Sequence, residues 1–522
     1  MVPSRTQLYE DPKGRFIHDL ILAAADRNPE NTAIVDSSDG ARFTVSELAD
    51  LVDAFARNLA GIMKPGERLA IFLPNSWEFC VAFHGASMAG VVPTPLNPSY
   101  REREVRYQLE NSGASMLITD GPLVSGMDLS GLPALRRIYV TRASSGAAAD
   151  SFSSLLRPST TPLPSPSASP EETLAVLPYS SGTTGLPKGV VLTQSNIVTN
   201  VYQLLGALRH MTPATVALQF LPLYHIYGMN VVMNSVLALG ATLVLMPRWD
   251  IDRAFDLLVR ENVTWMPTVP PIMAACCHAA EEGRFPRNHS LTWVKCGAAP
   301  VPPELSLRFH SLTGVRVLQG YGMTEASPVT HCGFFDDPWY RPQAIGAPVA
   351  LTDCRILDDD GNDVAPGSPG ELVMRGPQFM TGYWNAPEAT SAVLRDGWYW
   401  SGDIATTDAD GFYYIVDRRK ELIKYKGFSI APAEIEAVLL EHPAVRDCGV
   451  VGRSDDAAGE VPCAFVVLRD GRPGSSTIQA ELCGYVAERL TGYKQPRDVR
   501  FVASIPRNPS GKILRRELRN LL

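Results

Sequence analysis

Short apolar runs alternate along the chain with amphipathic segments. "RLAIFLPN", "ATLVLMP", "VTWMPTV", "LTWVKCG" and "VRVLQGYG" read as strands. Between them, "SWEFCVAFHGASMAG" predicts a helix packed through small residues, and "DRAFDLLVREN" a second amphipathic one. This alternation is the α/β pattern, with largely parallel sheets. The most apolar window, "VVMNSVLALGATLVLMP", contains Asn234, Ser235, Gly240 and Thr242. Those residues predict a buried helix, a turn and a strand rather than a membrane span. No clear short repeat is present.

Two changes of pattern suggest organisation. "RPSTTPLPSPSASPEE" is rich in Pro, Ser and Thr and predicts an exposed, flexible connection. Near residue 417 the strand-like "GFYYIV" gives way to the charged "DRRKELIKYKGF". "APAEIEAVLLEH" follows, with Pro432 at a helix start and Ile435, Val438 and Leu439 on one face. From there to Leu522 the chain can form a compact α/β domain of its own. A joint made of charge, with little to bury, suits a hinge.

At 522 residues and 45% hydrophobic, the chain can bury a large core, and at least two domains are expected. The net charge of -8 argues against a general nucleic-acid binder, so an anionic ligand needs a local cluster of positive charge. The nine cysteines lack paired metal-type spacing; only Cys276 and Cys277 are close. Reduced thiols and a cytoplasmic location are expected. The start "MVPSRTQLYEDPKGRF" has no apolar signal core, and "ELRNLL" is not a Ser-Lys-Leu address.

Candidate chemistry begins with "YSSGTTGLPKGVVLT", residues 179–193. A Walker loop needs G-x4-G-K-[ST] between a strand and a helix. Here Gly189 follows Lys188, and both flanks, "TLAVLPY" and "GVVLT", look like strands. A strand–loop–strand can still hold phosphate: Gly182 and Gly185 free backbone N–H groups to turn toward an anion, and Ser180, Ser181, Thr183 and Thr184 add hydroxyl donors. An ordinary hairpin turn would use the same small polar residues.

The stretch resembles the phosphate loop of the adenylate-forming superfamily, its acyl-CoA synthetases in particular. "LPLYHIYGMN", "CGAAPV", "QGYGMTEASP", "GELVMRGPQFMTGYWN", "WYWSGDIATTDADGF", "VDRRKELIKYKGFSIAPAEIE" and "PRNPSGKILRREL" follow in the family's order. "HIYG", "ELIKYKGF" and "APAEIE" are most like the 4-coumarate–CoA ligases. The resemblance implies a large N-terminal domain of α/β sheets with a β-barrel-like subdomain (1–417), a hinge (418–420) and a small mobile α/β C-terminal domain (421–522). It implies an acid–thiol ligase using ATP, Mg2+ and coenzyme A. A carboxylate attacks the α-phosphate of ATP to give an acyl-adenylate and pyrophosphate; the thiol of coenzyme A then displaces AMP.

On that resemblance the loop from Ser180 to Lys188 cradles the β- and γ-phosphates. Gln319 and Gly320 lie along the adenine and acyl boundary, with Gly297 and Ala298 beside them, and Tyr321 offers its ring to the base. Thr324 donates to the α-phosphate and Glu325 holds Mg2+. Asp403 and Arg418 receive the ribose; a carboxylate can accept from both of its hydroxyls. Lys512 touches the substrate carboxylate and the α-phosphate. Lys424, Lys426 and Gly427 belong to the second half-reaction, the last two along the pantetheine tunnel, and Arg248 lies near the coenzyme phosphates. Because Lys512 and Lys424 sit on opposite faces of the small domain, the resemblance implies rotation about Lys420 between half-reactions.

His225 faces the acyl pocket in the look-alikes, with Tyr224, Met229, Gly297, Gly320, Pro328 and Val329 as walls. The two glycines leave room for a flat group, and Tyr224 can stack on an aryl ring. An aryl or arylpropenoic acid is expected, from benzoate-like to cinnamate-like. A medium-chain fatty acid is the alternative, as is delivery to a carrier protein. Ser429 and Cys296 depart from residues common in the plant ligases. An amino-acid-activating domain would carry an Asp near "HIYG", and none stands there. A non-catalytic sensor would lack Glu325, Asp403 or Lys512, and all are present.

Overall fold

The computed structural model describes residues 7–142, 149–166, 168–180, 187–299, 301–335, 339–425, 428–455, 458–471, 473–490, 492–508 and 511–522. Each run read as a strand from its apolar residues is one. A sheet of nine strands takes the spatial order Ala347–Pro348, Val329–Cys332, Arg316–Gly322, Trp293–Cys296, Trp265–Thr268, Val216–Gln219, Thr242–Leu245, Thr32–Asp36, Arg42–Thr44. Its central strands run parallel, with Trp293 opposite Arg316 and Trp265 opposite Trp293, and its flanks are antiparallel. A second sheet, Val92–Pro95, Arg68–Phe72, Ala114–Thr119, Arg137–Val140, Asp150–Ser151, is parallel throughout. The helix Trp77–Met88 packs against the helix Val45–Ala60, and its residues from Phe79 to Ser87 are all buried. Most of these are apolar, and the buried His84 ring nitrogens find partners in the Cys80 carbonyl and Asn234 Oδ1.

The most apolar window forms the expected helix, turn and strand, with one difference. Tyr227–Asn234 winds as a π-helix before Ser235–Leu239 continues as an α-helix, and Gly240 ends it at φ 66°. Among the described residues no helix is long and apolar enough to cross a membrane. Residues 157–166 and 168–172 carry no helix or strand and are mostly exposed, as expected. They are nonetheless seated: Leu163 packs on the core and the Thr161 carbonyl accepts from Arg57 Nη1 at 3.3 Å.

A five-stranded antiparallel sheet (Asp353–Leu357, Gly370–Arg375, Trp398–Thr407, Leu394–Arg395 and Tyr413–Arg418) stands where the barrel-like subdomain is expected. Its buried side chains join the main core, which includes Ala405 and packs Ile415 at its edge. A separate core opens at Ile423. It lies on the sheet of Ile423–Tyr425, Phe428–Ile430, Val445–Asp455, Gly459–Leu468 and Asp498–Phe501. In the strand Gly459–Leu468, Ala464 and Val466 face the helices Pro432–Glu441 and Ser476–Ala487, while Cys463 and Phe465 face Ile505 and Leu518. This is the period-two alternation of a sheet covered on both sides. Arg419 and Lys420, between the two cores, are exposed.

The nine cysteines are free thiols. Burial pushes Cys276 and Cys277 up to about 12 and about 11, so both stay protonated.

Candidate active site

The polar groups converge where the parallel strands of the large sheet end, beside the antiparallel sheet. The feet of the phosphate-loop candidate pair as antiparallel strands, with Lys188 opposite Ser180 and Gly189 opposite Tyr179. Ser181, Gly182, Thr183 and Thr184 lie outside the described residues. Ser180 Oγ donates to Glu325 Oε1 at 3.0 Å, and Tyr383 OH donates to the same oxygen at 2.9 Å. Burial and then the charge of Glu325 push the Tyr383 hydroxyl well up, so it stays a donor. Lys188 Nζ stands 5.4 Å from the centre of the Tyr383 ring. Glu325 is 8% exposed, and among the described residues its Oε2 accepts no hydrogen bond. A carboxylate oxygen held in this way suits a hard cation that arrives with phosphate. Among the described residues no cluster of three His, Cys, Asp or Glu could hold a metal by itself.

Asp403 and Arg418 are cross-strand partners, and Arg418 Nε lies 3.1 Å from Asp403 Oδ1. Tyr321 OH donates to Asp403 Oδ2 at 2.5 Å, so ring and carboxylate form one surface. The Ser401 hydroxyl accepts from the Asp403 N–H at 3.0 Å and donates to the Leu372 carbonyl at 2.6 Å, which fixes the turn before Asp403. Gln319 is buried and donates through Nε2 to the Pro342 carbonyl at 2.6 Å. Thr324 opens the short 3-10 turn Thr324–Ala326 and is half-buried. Ala298 is exposed, at φ 65°.

Lys512 comes to this surface from the small core. Its N–H donates to Asn508 Oδ1 at 2.8 Å. Gly511, at φ 82°, lies against the end of the interior strand Trp265–Thr268 and the start of the helix Pro270–Glu281: a Cβ there would meet Pro271 Cδ at 3.0 Å and Val269 Cγ2 at 3.6 Å. Burial, then the Arg418 guanidinium, lowers the Lys512 ammonium to about 8, while Glu421 and Asp403 pull the other way. Lys512 is therefore within electrostatic reach of the Asp403–Arg418 pair. Lys424, by contrast, is exposed on the strand Ile423–Tyr425, where its N–H donates to Glu460 Oε2 at 2.8 Å. Lys426 and Gly427 lie outside the described residues. Lys420 and Arg248 are exposed, Arg248 just beyond the strand Thr242–Leu245.

A narrow, mostly apolar cleft is lined by Leu221, Pro222, Tyr224, His225, Tyr227 and Val269. His225 Nδ1 accepts from the Tyr227 N–H at 3.2 Å, which leaves the ring proton on Nε2. Burial lowers His225 to about 4, so it is a neutral donor near pH 7. Gly297 adjoins this wall, since a Cβ there would lie 3.8 Å from the Tyr227 ring and 3.0 Å from the Gly320 carbonyl oxygen. Met229, Pro328 and Val329 are not among the lining residues. Met229 is fully buried in the π-helix, the Pro328 carbonyl accepts from Met323 N–H, and the Val329 N–H donates to Asn200.

Sequence reasoning did not single out Tyr227, Val269, Tyr383 or Lys295. Tyr227 and Tyr383 stand inside quoted blocks, but nothing local tells that Tyr383 reaches Glu325. Lys295 is 2% exposed, with Nζ donating to Cys332 Sγ at 3.1 Å beneath Gly320. Its one signal is a charge inside the apolar run "LTWVKCG".

The family model "AMP-binding enzyme" matches residues 21–384, and "AMP-binding enzyme C-terminal domain" matches residues 434–512. A 4-coumarate–CoA ligase 5 of Oryza sativa subsp. japonica is 38% identical over 520 residues, covering 96% of this chain and 94% of that one. A long-chain-fatty-acid–CoA ligase of Bacillus subtilis (strain 168) is 33% identical, covering 97% and 94%. Among solved structures, the anthranilate CoA ligase AuaEII in complex with anthranoyl-AMP superposes with a TM-score of 0.88 at 25% identity, covering 98% of both chains.

Proposed function

The chain belongs to the AMP-binding enzyme family, and from that premise we propose that it is an ATP-dependent acid–CoA ligase for an aryl or arylpropenoic acid. The observation that carries the reading is the seating of the Lys512 loop on the large domain, Gly511 against Pro271 and Val269, near enough to the Asp403–Arg418 pair for both charges to act on Lys512. A cation from the small core stands at the surface where the family's nucleotide would lie.

In the first half-reaction the acid's carboxylate oxygen bonds to the α-phosphorus, and the bond to the β-phosphate oxygen breaks. Pyrophosphate leaves with the electron pair. The Lys512 ammonium and the Thr324 hydroxyl offset the charge that builds on the α-phosphoryl oxygens. Ser180, Lys188 and the rest of the loop hold the outgoing phosphates. Glu325, oriented by Ser180 and Tyr383, would hold the Mg2+ that accompanies ATP, which would offset charge on the phosphates. His225 orients the carboxylate through Nε2–H, as a neutral donor. In the second half-reaction the coenzyme A sulfur attacks the acyl carbon and AMP departs. Rotation of residues 421–522 about 418–420 exchanges Lys512 for Lys424, Lys426 and Gly427, with Arg248 near the coenzyme phosphates.

The aryl assignment is supported by the relatives named for 4-coumarate and anthranilate. A fatty acid is the second reading, because the cleft is mostly apolar and the Bacillus relative is named for long-chain fatty acids. Pyrophosphate release with benzoate, anthranilate, cinnamate, 4-coumarate and C6–C12 fatty acids, with and without coenzyme A, tests both. Aryl-dependent release that coenzyme A accelerates is expected. Preference for the fatty acids would overturn the aryl assignment, and release indifferent to coenzyme A would point to a carrier protein as acceptor.

A further inference from the structure

The strand Tyr413–Arg418 ends the large core and presents two charged residues to opposite sides. Arg418 faces Asp403. Asp417, 5% exposed, faces the small core: its Oδ2 accepts from the Ala433 N–H at 3.0 Å, and its Oδ1 from the Arg418 N–H at 2.7 Å. Ala433 lies in the first turn of the helix Pro432–Glu441, whose own cap residue, Ala431, offers no side-chain acceptor. The first N–H groups of a helix need an acceptor from elsewhere, and a carboxylate there also meets the helix dipole favourably. Asp417 supplies it from across the joint.

The same helix is tied to Lys512. Arg515, three positions after Lys512, holds both Glu436 oxygens at 2.8 Å through Nη2 and pairs with Glu421. Its Nε donates to the Val450 carbonyl at 3.1 Å, and its charge also acts on Asp417. Arg515 thus fixes the Lys512 loop to the helix, and Asp417 fixes the helix to the large core. On the two-step reading, rotation about 418–420 would move Ala433 relative to Asp417, because the two lie on opposite sides of the pivot.

We infer that Asp417 is a positioning residue for adenylate formation: its carboxylate caps the helix Pro432–Glu441 only when the small domain presents Lys512 to Asp403 and Arg418. This rests on the two-step reading above. Asp417 touches no substrate; it weights one domain orientation against the other.

The test compares wild type, Asp417→Ala and Asp417→Asn as full chains, with 4-coumarate and benzoate as acids. ATP–pyrophosphate exchange without coenzyme A reads the first half-reaction. Thioester formation from preformed 4-coumaroyl- and benzoyl-adenylate reads the second. Asp417→Ala is expected to lower exchange about tenfold, the scale of one lost cap, with conversion of the preformed adenylates unchanged or faster. Asp417→Asn keeps an acceptor and is expected within about threefold of wild type, since Asn and Asp cap about equally well. If the alanine chain does not fold, Asp417→Glu, which displaces the carboxylate, carries the same selective loss. Equal loss in both assays, or alanine exchange at the wild-type rate, overturns the inference while leaving the ligase reading intact. A wild type that performs neither step overturns both.

Discussion

An ammonium buried beside a guanidinium gives up its proton more readily than a free lysine, and Lys512, lowered to about 8, is such a group. Below that pH it carries the charge that the α-phosphoryl oxygens require. Above it, free enzyme holds a neutral amine. Acid-dependent pyrophosphate exchange at subsaturating ATP is therefore expected to fall as pH rises through about 8, and a flat profile to pH 10 contradicts the assignment. Lys512→Ala is expected to lose about 10²–10³-fold in exchange, or roughly 3–4 kcal/mol. Near-wild-type exchange would refute its role. Stability runs the other way. Between about 8 and the ordinary lysine value of 10.5 the unfolded chain binds more protons at this position, so this group's contribution to stability rises with pH there. The motifs pointed to Lys512, Asp403 and Arg418, and the fold pairs Asp403 with Arg418 across adjacent strands. Tyr383 was not legible in the sequence, because its partner Glu325 is remote in sequence and only the fold brings the two together.

At the scale of elements, the joint carries the prediction. The exposed turn at Arg419 and Lys420 lies between a strand of one core and the first strand of the other. Lys420→Pro fixes φ at the proposed pivot. It is expected to slow thioester formation more than adenylate formation, read by the same pair of assays; equal loss in both counts against the pivot. The elements themselves were largely readable. Apolar runs bounded by turn residues gave the strands, and Pro432 and the Ile435, Val438, Leu439 face marked their helix, all buried as expected. The π-winding of Tyr227–Asn234 was not readable, because the apolar residues of a fully buried segment carry no period to distinguish one winding from another. That winding belongs to the segment that bears Tyr227, and with it the part of the cleft wall that sequence reasoning missed.

For the whole molecule, the change of core near residue 417 showed in the sequence as a break of charge, because a joint between separately packed parts has little to bury. The orientation of the small core did not show. It depends on contacts such as Gly511 against Pro271 and Asp417 against Ala433, between residues whose types alone suggest neither. In the observed arrangement Lys512 lies within electrostatic reach of Asp403 and Arg418 while Lys424 is exposed, which on the proposed reading is the adenylate-forming arrangement. The central claim is that one chain activates an aryl acid as its adenylate and passes it to a thiol. Its most direct test is product analysis after mixing enzyme, ATP, coenzyme A and 4-coumarate or benzoate. Equal amounts of AMP and the aryl-CoA thioester are expected, with the acyl-adenylate accumulating when coenzyme A is withheld. Formation of ADP, or of AMP with no thioester, would contradict the account.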